Sequence, residues 1–316
     1  MASLTFYGGV GQIGGNKVLL HDGDCRLLLD FGLPFAQRRN FFEEYLNPRP
    51  GAGLLDFLET GLLPPLSGLY RTDLETPGLW ARFNSPKPCE VQGVLLSHAH
   101  LDHSGYISFL RPDIPVLCTA LTAFVAKAMQ DSGHSDLEHE VCYAVPRKFQ
   151  GSVVESIGSG KPEGKAKQRP FWFREGETLS PADLEFWKEA PGQRPLDFQL
   201  PSSTDNLNLA LRHFPLDHSV MGACAWAVET SAGWVVYTGD IRFHGKREQL
   251  SREFIRQASR LKPIALIGEG TYLNREHCVS EAEVMAKAGE ALAQARGLVI
   301  ADFALVMWRD WSPFWK

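Results

Sequence analysis

Ser97-His98-Ala99-His100-Leu101-Asp102-His103-Ser104-Gly105 follows directly on a short apolar run, Val91-Gln92-Gly93-Val94-Leu95-Leu96, that reads as a buried strand. Three imidazoles and one carboxylate fall within the six positions from His98 to His103. These are the ligand types that hold zinc or a similar divalent ion at an open site. A loop leaving a strand end lets neighbouring side chains diverge. His98 and His100 can then face one point, and Asp102 and His103 another, so that one loop seeds two metal positions. Scattered surface histidines are the ordinary alternative, but H-x-H-x-D-H placed immediately after an apolar strand argues against it.

Upstream, Leu4 to Tyr7 reads as a strand, followed by Gly8-Gly9-Val10-Gly11-Gln12-Ile13-Gly14-Gly15. A dinucleotide-binding reading of these glycines needs a helix to open there. Instead Lys17 to His21 and Cys25 to Asp30 flank the turn Asp22-Gly23-Asp24, the pattern of a hairpin. The glycines therefore let backbone pass close to something, either packed strands or a substrate. Asp30 ends the second strand and, taken alone, is a turn-initiating aspartate.

Downstream, the strand Asn208 to Phe214 leads to Asp217-His218-Ser219, and the hairpin formed by Ala223 to Thr230 and Trp234 to Tyr237 leads to Gly239-Asp240. Each delivers a lone metal-ligating residue at a strand end. Together they supply a third imidazole for a first ion and a carboxylate able to bridge two. A further strand, Ile264 to Gly268, ends at Glu269-Gly270-Thr271-Tyr272. Helices are expected over Gly53 to Gly61, Tyr106 to Leu110, Leu121 to Gln130 (N-capped by Thr119), Leu250 to Lys262 and, from the Ser280/Glu283 capping box, to Arg296. A last strand is expected over Leu298 to Phe303.

The 316 residues can bury a large core, and 44% hydrophobic with 22% charged residues is ordinary for a globular chain. A net charge of -5 argues against a general, charge-driven grip on nucleic acid. Arg38, Arg39, Arg49 and Arg71, in the Pro- and Gly-punctuated segment 33–90, are solvated surface residues or local phosphate contacts. That segment is expected to rim the site. Residues 157–170 read as a mobile basic loop, and His134 and His139 as surface histidines. Six scattered cysteines without a C-x-x-C pair, no secretory leader pattern and no run of about 18 apolar residues make a cytoplasmic protein without a membrane span the expectation. A homo-oligomer is compatible with this composition.

The ordered set Asp30, His98-x-His100-x-Asp102-His103, Asp217-His218-Ser219, Gly239-Asp240 and Glu269-Gly270-Thr271-Tyr272 resembles the metallo-β-lactamase/β-CASP group of nucleases, which includes bacterial ribonuclease J and related archaeal exonucleases. The likeness covers about residues 4 to 303 and is strongest at the metal loop and the Gly-Asp pair. It implies an α/β fold, an αββα sandwich, with two divalent ions, expected to be zinc. By that resemblance His98, His100 and His218 hold one ion, Asp102 and His103 the other, and Asp240 bridges them. Asp30 and Asp217 support these ligands, and Asp102, Asp240 and Glu269 are the catalytic acids. The reaction implied is attack of a metal-bridging hydroxide on a phosphodiester, with RNA as substrate and single-stranded DNA as a second choice.

One departure stands out. In that group a β-CASP domain follows a strand like Leu298 to Phe303, whereas here residues 1–303 form the metallo-β-lactamase domain and 304–316 an aromatic tail with three of the chain's eight tryptophans. A truncated or frameshifted reading frame is the expectation, with an inactive fragment as one outcome. A small-molecule hydrolase acting on a lactone, thioester or lactam is the alternative function.

Overall fold

A computed structural model of the chain describes residues 1–43, 45–133, 136–151, 153–173, 179–203, 210–271 and 279–300. The chain divides into two compact units, Met1–Asn208 and Leu209–Lys316. Each has its own sheet and its own apolar core. The class is mixed α/β, as expected.

In the first unit, β1 (Ser3–Gly8), β2 (Lys17–Asp22) and β3 (Cys25–Phe31) run antiparallel, and β4 (Gly93–Leu95) and β5 (Val116–Leu117) continue the sheet in parallel. Strands Phe171–Phe173 and Ser202–Ser203 complete seven. Leu27, Leu28 and Leu29 pair with Gly93, Val94 and Leu95, and all six are buried. Continuous apolar runs of this kind belong to parallel strands covered on both faces. The register sets the C-terminal end of β3 beside the chain just beyond β4, which brings Asp30 to Ser97.

Segment 33–90 lines a cavity beside the His98–His103 loop through Leu33, Phe35, Arg38 and Arg39, and it is also structured. It carries α1 (Phe35–Arg39), α2 (Leu55–Glu59) and three short 3₁₀ turns, and it sinks Leu54, Phe57, Leu58, Leu63, Tyr70 and Leu74 into the main core. The metal loop continues into α3 (Leu101–Ser104) and a 3₁₀ turn at Gly105–Phe109, where a helix was expected. The helix α4 (Ala120–Ser132) starts as expected, with Thr119 Oγ1 accepting from the Thr122 amide at 3.1 Å. A shorter helix, α5 (Pro181–Lys188), buries Trp187.

Two basic expectations are corrected here. Residues Ala166–Gln168 of the supposed mobile loop form the centre of a three-stranded sheet, and the neighbouring Arg169 is fully buried. Its guanidinium donates to the carbonyls of Ile107 (2.9 Å), Leu110 (3.0 Å), Arg111 (2.5 Å) and Val141 (3.2 Å). Arg71 is neither solvated nor open to phosphate: it is buried against Asp73 (2.8 Å) and Glu140 (2.5 Å). A buried guanidinium persists only when its donors are matched in this way.

In the second unit, Leu211–Pro215, Cys224–Thr230 and Gly233–Tyr237 form an antiparallel meander. Helix α6 (Glu248–Arg260) crosses to Ala265–Ile267, which joins in parallel. Ser251, Phe254 and Ala258 of α6 face inward, and Arg252, Arg256 and Arg260 lie exposed, as the spacing predicts. The capping box at Ser280 and Glu283 opens α7 (Glu281–Gln294). The expected last strand is not formed at residues 298–300, and 301–303, like the tail 304–316, lie outside the described residues. Among the described residues, no helix is long and apolar enough to cross a membrane.

Candidate metal centre

The His98–His103 loop of the first unit is built on one buried carboxylate. Asp30 sits at φ 55°, a left-handed conformation that aspartate tolerates better than most residues, at the register shift between the Val18–Leu29 and Lys17–Phe31 pairs of β2 and β3. Its Oδ1 accepts from the Ser97 amide at 2.7 Å and its Oδ2 from the Ser97 hydroxyl at 2.7 Å. The same Oδ2 lies 2.6 Å from His103 Nδ1. A carboxylate can only accept, so His103 carries its proton on Nδ1 and presents a lone pair at Nε2. The Ser97 hydroxyl, having donated to Asp30, accepts from His98 Nδ1 at 3.0 Å, which puts the His98 lone pair on Nε2.

That Nε2 is 3.1 Å from His100 Nδ1. Two nitrogens each about 2.05 Å from a tetrahedral zinc stand roughly 3.3 Å apart. The pair therefore already has the separation of two ligands on one ion. Asp102 Oδ2 lies 3.7 Å from His103 Nε2, so these two form a second pair. The donor set, two imidazoles beside an imidazole and a carboxylate, fits borderline cations such as zinc.

The glycines find their explanation here. Gly15 and Asn16 amides both donate to the Asp102 carbonyl, at 3.0 and 3.2 Å, and the Leu33 amide donates to that of Leu101 at 2.8 Å. A Cβ on Gly32 would stand 1.6 Å from the Asp102 carbonyl oxygen, and one on Gly14 2.6 Å from Asp102 Cβ. The close approach is thus to the metal loop itself, and no helix follows the glycines.

In the second unit, His218 Nε2 lies 3.6 Å from Asp240 Oδ2. Asp217 is fully buried; its amide donates to Ser251 Oγ at 3.1 Å and its Oδ1 lies 3.4 Å from an Arg242 terminal nitrogen. Arg242 also pairs with Glu281. Glu269 Oε1 accepts from the Ile241 amide at 2.6 Å, so it holds the backbone just past Asp240. His244 contributes its carbonyl to the Glu281 amide, and His277 lies outside the described residues.

No protein-family profile matches the chain, and no curated protein matches it. Similar solved structures exist. One is a protein of unknown function from Enterococcus faecalis V583, with a TM-score of 0.58 and 21% identity over 93% of this chain and 57% of that one. The likeness is one of fold. Another is an N-acyl homoserine lactone hydrolase with N-hexanoyl-L-homoserine at its catalytic metal centre (TM-score 0.38, 14% identity, 83% of this chain and 84% of that one). A third is the MIM-2 metallo-β-lactamase (TM-score 0.36, 12% identity, 89% and 86%). The chain spans 57% of the length of the Enterococcus protein.

Several residues near the centre were not singled out by sequence. Asn16 Nδ2 lies 3.1 Å from His103 Nε2. Lys17 is buried, donates to the Gly15 carbonyl at 3.4 Å, and lies over the rings of Phe31 and Tyr106; burial pushes its ammonium down to about 7. Arg242 follows the Gly-Asp pair by two residues, a signal that was available. His139 belongs to a cavity wall and pairs with Asp136 at 2.5 Å, while His134 lies outside the described residues.

Proposed function

We propose that this chain is a metal-dependent hydrolase whose ions are held by His98, His100 and His218, by Asp102 and His103, and by Asp240 as the shared carboxylate. The observation that carries the reading is the Asp30–Ser97–His98/His103 hydrogen-bond set. It fixes the tautomers of two imidazoles and turns their Nε2 atoms toward the neighbouring His100 and Asp102 side chains. Bound ions would supply Lewis-acid polarisation of the scissile group and a water activated at neutral pH. The chain's own part is orientation: Asp30 and Ser97 hold the rings, Glu269 and Arg242 hold the backbone around Asp240 and Asp217.

For the bond cleaved, local chemistry favours a small ester, lactone, thioester or lactam over RNA. Of the arginines expected to touch phosphates, Arg38 pairs with Glu138, Arg49 with Asp56, and Arg71 with Asp73 and Glu140. Beside the metal loop lies a cavity of about 580 Å³ with much apolar lining, a small-molecule size. The test is hydrolysis by zinc-loaded protein of a chromogenic lactam, a thioester and a lactone panel alongside 5′-monophosphorylated RNA. Turnover of one small substrate that is lost in His98→Ala supports the reading. Turnover of RNA alone returns the nuclease, and fewer than one ion bound per chain with no turnover overturns the hydrolase.

A further inference from the structure

The cavity beside the metal loop carries chemistry of its own, and it lies wholly within the first unit. Its apolar wall is made by Leu33, Phe57, Leu101 and Leu137, and Phe35 stands half-exposed among the lining residues. The 3₁₀ turn Leu137–His139 packs on Gly105–Phe109, the segment that leaves the metal loop.

The charges around this wall cancel in pairs, except for one. Arg38 is fully engaged by Glu138, through Nε at 3.0 Å and a terminal nitrogen at 2.8 Å. Asp136 accepts from His139 Nδ1 at 2.5 Å and from the Glu138 amide at 2.9 Å. Its carboxylate holds the His139 imidazole above the usual histidine range, which favours the charged ring with Nε2 as a second donor. Arg39 is exposed on the last turn of α1, lines the same cavity, and makes no ion pair among the described residues. Behind the wall, the Tyr106 hydroxyl is buried close enough to Arg38 and Glu138 for both to act on it. An apolar wall, one uncompensated guanidinium and one imidazole donor together define a receptor for a particular class of molecule.

We infer that this cavity binds a small amphipathic monoanion, with its apolar or aromatic body on Leu33, Phe57 and Leu137 and its acid group on Arg39 and His139. The inference rests on the hydrolase reading in taking this cavity as substrate space and adds the class of molecule it holds, although none of the residues that line it is among the proposed metal ligands. A phosphorylated polymer is a poorer match. Its repeated charge needs several free cations, and the described lining offers a single unpaired one.

The experiment is titration calorimetry on metal-free protein with phenylbutyrate and with its uncharged analogue phenylbutanol. Use of metal-free protein separates this binding from any failure of the hydrolase reading. The acid should bind the wild type more tightly than the alcohol. Arg39→Gln should weaken the acid about fivefold, the worth of one partly exposed charge pair, and leave the alcohol unchanged. Leu137→Asp should remove both, with a circular-dichroism spectrum confirming that the variant is folded. Equal affinity for acid and alcohol, or an acid affinity untouched by Arg39→Gln, overturns the inference. So does the absence of binding at millimolar ligand.

Discussion

Replacing Asp30 by asparagine is the sharpest test of the metal centre, because it changes almost no volume and reverses one polarity. In the wild type a single fully buried carboxylate accepts three hydrogen bonds, from the Ser97 amide, the Ser97 hydroxyl and His103 Nδ1, at 2.7, 2.7 and 2.6 Å. Asparagine keeps its oxygen for the Ser97 amide, but its NH₂ then meets two donors. His103 must move its proton to Nε2, where the ligating lone pair was, and the Ser97 hydroxyl must rotate away from its present acceptor. Each hydrogen bond to a charged group contributes about 1.5–3 kcal/mol, so losing two of these costs roughly 3–6 kcal/mol. Relief from burying a charge offsets part of that loss. Zinc affinity should fall about 10- to 100-fold, in line with loss of a carboxylate that orients a ligand histidine. Equilibrium dialysis against a chromophoric chelator reads the affinity, and denaturant unfolding reads the stability. Unchanged zinc affinity in Asp30→Asn would refute the claim that this carboxylate sets the His103 tautomer.

Gly32→Ala places a methyl 1.6 Å from the Asp102 carbonyl oxygen and should separate the β3 exit from the metal loop, with zinc stoichiometry falling in a protein that still gives an α/β circular-dichroism spectrum. Arg242→Met strips the buried Asp217 carboxylate of its ion-pair partner and should cost about 3–5 kcal/mol in denaturant unfolding, with partial recovery in Arg242→Lys. Lys17→Met should stabilise the fold in a pH-dependent way. The folded ammonium titrates near 7 and the unfolded one near 10.5, so between these values the unfolded chain binds the extra proton and wild-type stability rises with pH. The gain from methionine is therefore full below about pH 7 and fades toward pH 10; an equal gain at pH 6 and pH 10 would refute the burial argument.

What could be read from the sequence was whatever a short window contains. The H-x-H-x-D-H loop, the hairpin at Asp22–Cys25, the N-cap at Thr119 and the capping box at Ser280 are all local, and all are present in the fold. What could not be read depends on partners far along the chain. Arg71 looks like a surface residue until Glu140, 69 positions on, closes over it. Arg169 looks like part of a loop until it reaches the Ile107 carbonyl, 62 positions back. In segment 33–90, prolines and glycines break up the apolar spacing, so the burial of Phe57, Tyr70 and Leu74 is hidden from any periodicity. At the site, the strand-end placement of His98 to His103 was legible because apolar runs mark strand ends. The role of Asn16 was not, because it depends on a contact across separate loops.

The double amide grip of Gly15 and Asn16 on the Asp102 carbonyl has a thermodynamic consequence. The loop's main chain is immobilised by neutral peptide groups, so a cation arriving there has little residual chain freedom to freeze out. In zinc fingers, by contrast, ion capture and chain collapse are a single event. Here the two should be separable: a chelator should strip the ion while the secondary structure persists, and re-addition should need no refolding delay.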